Sequence, residues 1–201
     1  MRKTYRRKNL EEISKQILFI GLAFIVFVVV GAYLNKIWTS NSNDILKNIN
    51  PAIEYYSSDI SSKKTIISNL KADMGFMGLI CVSTLFVITV PVAVIIFMLK
   101  GLSMGYTINS FILALKFESI KMISIVMLKN IIIIPGAIIL ILISLSYFKE
   151  MTSLLKIGNR EKIIFLSRRY LLNGAIIILT SVVLQLLLNT VSINIIKFLV
   201  K

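Results

Sequence analysis

The charges of this chain are spaced in a way that few folds accommodate. Between successive charged residues lie uncharged runs of 20 residues (16–35), 26 (74–99), 15 (101–115), 7 (122–128), 19 (130–148) and 27 (170–196). About 20 apolar residues in a helix cross a hydrocarbon core of roughly 30 Å. Three runs reach that length unaided, and the others reach it by merging or by snorkelling of their end charges. The chain reads as an all-α, polytopic membrane helix bundle.

Composition agrees with this reading. Hydrophobic residues make up 57% and charged ones 16%, against about a quarter charged in soluble domains. Most of the 201 residues are needed for the spans, so 1–201 forms a single membrane domain with no room for a separate soluble one. The excess of 23 Lys+Arg over 9 Asp+Glu is explained by basic residues that flank spans and face anionic lipid, and not by nucleic acid. The N-terminal basic cluster and the apolar segment after it mimic a signal peptide. The apolar part is too long for one, however, and Trp38 follows as an interfacial anchor, so this is read as a retained first span.

The arginines orient the chain. With the N-terminus in the cytoplasm, about five spans fall at 16–35, 74–99, 101–115, 122–148 and 170–196, and the C-terminus lies outside. Lys100 then marks an inner turn, 36–73 forms an extracytoplasmic loop with one or two short amphipathic helices, and 149–169 forms a cytoplasmic loop. All six arginines fall inside, and inner segments hold 13 of the 23 basic residues in about 37 positions, as the positive-inside bias requires. Two places strain the scheme. The run 101–115 is short enough to be re-entrant, and Lys129 with Asn130 interrupts the fourth span. A separate half-helix near 122–129 would add a sixth membrane element.

Catalytic classes are poorly served by these residues. There is no histidine and a single cysteine, Cys81, inside an apolar run, which excludes Cys/His zinc clusters and His-activated nucleophiles. No Asp or Glu lies within a proposed span, which counts against ion-coupled carriers and against a paired-Asp protease. Intramembrane polar residues, among them Thr84, Asn109, Ser144, Asn173, Gln185 and Asn189, read first as interhelical hydrogen bonders. No enzyme activity, cofactor or metal is expected. Gly101 and Gly105 form a small-xxx-small pattern that allows close helix approach, and Pro91 and Pro135 bend or break their helices.

The run Leu99-Lys100-Gly101-Leu102-Ser103-Met104-Gly105-Tyr106-Thr107 resembles the Lys-Gly-x-x-x-Gly-aromatic segment of the stage II sporulation protein M family. Lys129-Asn130-Ile131-Ile132-Ile133-Ile134-Pro135 fits the Asn-and-Pro turn that this family carries at its fourth span, with Leu128 where the family often has proline. The basic start, the outer loop after the first span and the five-span plan match along nearly the whole chain. The resemblance implies a non-enzymatic scaffold in endospore-forming bacteria. Such a scaffold holds two peptidoglycan hydrolases, stage II sporulation proteins D and P, at the mother-cell membrane of the sporulation septum during forespore engulfment. Lys100, Gly101, Gly105, Lys129, Asn130 and Pro135 are the packing and structural candidates, with the glycine-bearing third span facing the fourth, which carries Asn130. The alternative is a small transporter or channel subunit that uses Lys129, Asn130 and Asn109 as a polar path. Homo-oligomerisation is left open by the sequence.

Overall fold

A computed structural model describes residues 2–38, 62–86, 89–115, 119–158 and 160–200. The described elements are all helices: α1 (Arg2–Trp38), α2 (Ser62–Leu85), α3 (Val90–Leu115), α4 (Ser119–Asn130), α5 (Ile133–Ile157) and α6 (Arg160–Val200). Segments 12–37, 90–113, 126–157 and 160–188 are long and apolar enough to cross a membrane. The expected helical membrane bundle is therefore present, with four candidate spans. Most of the expected outer loop, 39–61, lies outside the described residues.

The helix ends depart from the charge-free runs. The run 74–99 is not one helix: it breaks at a turn in which the Thr89 amide donates to the Phe86 carbonyl at 2.9 Å and the Thr89 hydroxyl bonds the carbonyls of Ser83 and Phe86. Pro91 stands in the first turn of α3, where its missing N–H costs nothing. Consequently Lys100 is not at a turn. It sits inside α3, which joins the second half of one run to the whole of the next. The ammonium lies 5.3 Å from the centre of the Phe76 ring, a cation–π contact that lets a lysine stay in an apolar bundle.

The run 122–148 is also divided. α4 ends at Asn130, residues 131–132 turn, and α5 begins at Ile133 with Pro135 in its first turn. The separate half-helix therefore exists as a 12-residue element. Segment 149–169 is not a loop. α5 continues to Ile157, Gly158 closes it in the left-handed region at φ 72° with its amide on the Leu154 carbonyl at 3.0 Å, and α6 starts at Arg160. Lys100 and Lys149 end apolar runs without ending their helices.

Contacts fix the directions within the bundle. α3 runs alongside α1, because Phe24 meets Phe97 and Gly101 while Asn35 meets Tyr106 and Ser110. α2 runs opposite to α3, and α5 and α6 form an antiparallel hairpin. Met77, Ile80, Ala93, Phe97, Ile133, Ala137, Leu140 and Ile141 fill the centre. α2 is the polar exception among the long helices. Its Asp73 is only 1% exposed, although this residue was expected in an outer loop. Phe76, one turn further on, meets Lys100, and Lys100 adjoins the Gly101 that packs on Phe24. Asp73 thus lies near the level of the middle of α1's apolar run. Asp73 immediately precedes the proposed span 74–99, so a carboxylate is buried in the bundle although none lies within a proposed span.

Candidate functional site

Three places in the bundle bring polar or specially shaped residues together. The first is the seam between α1 and α3. On α1, Phe24, Val28, Gly31 and Asn35 recur at helical spacing on one face. A Cβ on Gly105 would collide with the Val28 carbonyl, one on Gly31 with the Leu102 carbonyl, and one on Gly101 would press on the Phe24 ring at 3.1 Å. The glycines therefore let backbone touch backbone. The seam is closed by Asn35, whose Nδ2 donates to the Tyr106 carbonyl at 3.0 Å and to Ser110 Oγ at 2.7 Å. Here the sequence expectation needs correction: the glycine face of α3 meets α1, not the segment bearing Asn130.

The second place is a buried hydroxyl network where α2, α5 and α6 meet. Thr84 Oγ1 lies 2.9 Å from Ser144 Oγ, and Ser144 Oγ lies 3.1 Å from the Tyr170 hydroxyl. Tyr170 also donates to the Cys81 carbonyl at 3.4 Å. Beside it the Tyr147 ring lies on the Tyr170 ring with centroids 4.6 Å apart, and its hydroxyl is 3.1 Å from Ser167 Oγ. Small residues make room for this junction. A Cβ on Gly174 would stand 2.8 Å from Cys81 Sγ, and one on Gly136 would stand 2.5 Å from Ser181 Oγ. Cys81 is buried with a free thiol.

The third place is a cavity of about 200 Å³ on the outer side of this network. Ile143, Ser146, Tyr147 and Glu150 of α5 and Leu166, Arg169, Tyr170 and Asn173 of α6 line it. On each helix these residues recur at three- and four-residue spacing, so each contributes one stripe. The two tyrosines form a wall held by the network behind them. Lys149, next to the cavity, reaches Glu12 of α1 at 3.9 Å across an exposed surface. Such an exposed pair contributes little to stability.

The predicted residues are not gathered into one site. Lys100, Gly101 and Gly105 share α3, and the two glycines form the α1 seam. Asn130 and Pro135 flank the break between α4 and α5. Asn130 is 6% exposed, and its Nδ2 donates to the Val126 carbonyl of its own helix at 2.8 Å. The amide thus caps the end of α4. Pro135 is exposed, and Gly136 next to it donates to the Ile132 carbonyl at 3.0 Å. The Lys129 side chain, and with it the expectation about its depth, lies outside the described residues. Among the described residues Asn109 Nδ2 and Asn130 Oδ1 are buried without a hydrogen-bond partner, a donor on α3 and an acceptor on the neighbouring α4.

Sequence reading missed the cavity and the role of Gly31. A signal existed for both. Gly31 follows Phe24 and Val28 at spacings of four and three, and Gly101 and Gly105 follow Phe97 at spacings of four, so each set lies on one helix face. Tyr147 and Tyr170 each close an apolar run beside charges, the position that interfacial tyrosines favour. No family model, curated protein or solved structure matches this chain.

Proposed function

We propose that the protein is an integral membrane scaffold that holds peptidoglycan hydrolases of the stage II sporulation protein D and P kind at the septal mother-cell membrane during forespore engulfment. The proposal rests on the resemblance carried by 99–107 and 129–135. One structural observation supports it: the motif residues are used in packing. Gly101 and Gly105 bring α3 onto α1, and Asn130 and Pro135 shape the joint between α4 and α5. On this reading the chain crosses the membrane five times, N-terminus inside and C-terminus outside. α2 provides the second crossing, and α4 with α5 provides the fourth. The hydrolases work outside, so the part of the expected outer loop that joins α1 to α2, residues 39–61, offers the docking surface, and the protein carries out no bond-breaking step itself.

One observation favours a second reading, a small transporter. Asp73 is a buried carboxylate inside the bundle, and ionisable groups at such depth commonly mark ion paths. One preparation separates the two. Protein purified in mild detergent from sporulating cells should retain both hydrolases, and in liposomes the lone protein should pass no solute or proton. Normal hydrolase localisation in cells lacking this protein would overturn the scaffold. Flux that disappears with Asp73→Asn would establish the transporter.

A further inference from the structure

The cavity between α5 and α6 lies where both helices leave their apolar runs. The uncharged run of α5 ends at Phe148, and that of α6 begins at Tyr170. Toward the hairpin turn come Lys156, Arg160, Glu161 and Lys162, and in the other direction the lining ends in Ile143 and Asn173. In a hairpin that crosses a membrane, such a change from apolar to charged residues falls in the headgroup layer.

The lining carries one charge of each sign. Glu150 and Arg169 are both exposed and both face the cavity, and among the described residues no ion pair joins them. Each remains available to an opposite charge on a ligand. Their heights differ in a useful way. The antiparallel register set by Ser144 with Tyr170 and Tyr147 with Ser167 places Glu150 about five residues nearer the hairpin turn than Arg169, roughly 7 Å along the axis. Ser146 and Asn173 supply neutral hydrogen-bonding groups, with Asn173 lying about one turn deeper than Arg169.

We propose that this cavity binds the headgroup of a zwitterionic phospholipid with a primary amine, a phosphoethanolamine. Arg169 holds the phosphate, since its planar fork matches phosphate oxygens. Glu150, nearer the aqueous side, accepts hydrogen bonds from the ammonium, which is the outermost group of such a lipid. Ser146 and Asn173 face the glycerol ester oxygens, and Ile143 meets the start of an acyl chain. Tyr147 and Tyr170, held from behind by Ser167 and Ser144, keep the wall in place. The site stands whether the protein acts as a scaffold or as a transporter, because it requires only that the hairpin cross the headgroup layer.

The test uses the full chain in mild detergent, offered equal amounts of phosphatidylethanolamine, phosphatidylcholine and phosphatidylglycerol, with retained lipid read by native mass spectrometry. Wild type should retain phosphatidylethanolamine at least about tenfold over the other two. Retention should fall stepwise through the mono- and dimethylated amines, because each methyl removes an N–H donor; this series needs no variant. Glu150→Gln should erase the preference, and Arg169→Gln should lower retention of all three lipids. Arg168→Gln, an adjacent arginine outside the lining, should change neither. Equal retention of the ethanolamine and choline lipids, or a preference that survives Glu150→Gln, would overturn the proposal. Displacement of bound lipid by an equal concentration of soluble glycerophosphoethanolamine would overturn the lipid assignment in favour of a soluble phosphoester.

Discussion

At the scale of single residues, glycine carries more of this bundle than any polar group. Without water to drive helices together, packing in a membrane depends on how closely backbones approach. Gly31 and Gly105 sit where any Cβ would meet a neighbour's backbone carbonyl, which cannot rotate aside as a side chain can. Gly21, on the same helix as Gly31, has nothing within 4 Å of a Cβ. Gly105→Ala should therefore destabilise the protein by about 1–3 kcal/mol through overpacking. Gly21→Ala should be neutral, or stabilising by about 0.5–1 kcal/mol through the better helix propensity of alanine. Thermal melting of both variants in one detergent checks this, and equal melting points would remove the seam from the account of stability. The glycine pair on α3 was legible in the sequence, but its partner was not. A small-xxx-small pattern announces a close approach without saying which helix approaches.

At the scale of elements, the lesson concerns what a charge can terminate. The apolar runs announced a helical membrane bundle, and the half-helix near 122–129 was open to view because Lys129 and Asn130 interrupt its run. Helix ends were read less well, since hydropathy responds to lipid exposure and not to backbone hydrogen bonding. In the sequence Lys100 reads as a boundary, yet an aromatic ring holds it inside α3. Pro91, a first-turn proline, marks the true start of that helix, just after Thr89, which hydrogen-bonds back to Ser83 and Phe86. The α5–α6 hairpin was hidden by its charges in the same way, although Gly158 followed by Arg160-Glu161 is a stop-and-start signal. That glycine is in the left-handed region at φ 72° with open space around it. Gly158→Ala should thus cost about 1–2 kcal/mol from backbone strain alone, and Gly158→Asn should cost less, because asparagine tolerates that region. Denaturant or thermal unfolding of the two variants ranks them. An alanine variant as stable as wild type would show that the turn relaxes to another geometry. The cavity beside this hairpin was not foreseen, because it depends on the register of two helices and not on a motif in either.

At the scale of the whole molecule, the proposed orientation, with the basic N-terminus inside, gives a sided prediction. Single cysteines at Ser57 and at Lys156 can be introduced in a Cys81→Ser background, since Cys81 is buried and free. In intact cells an impermeant thiol reagent should label position 57 and spare position 156 until the membrane is opened. Labelling at 156 without permeabilisation would reverse the orientation. The α1–α3 seam has another consequence, which concerns time. α1 is made first, but the groove-filling partner of its Gly31 and the carbonyl that accepts from Asn35 belong to α3, with α2 made in between. Until α3 has left the ribosome, a membrane-inserted α1 lacks the partner that covers Gly31 and Asn35. A chain arrested before that point carries the same exposed face indefinitely. It is this orphaned first helix that a membrane quality-control protease would meet.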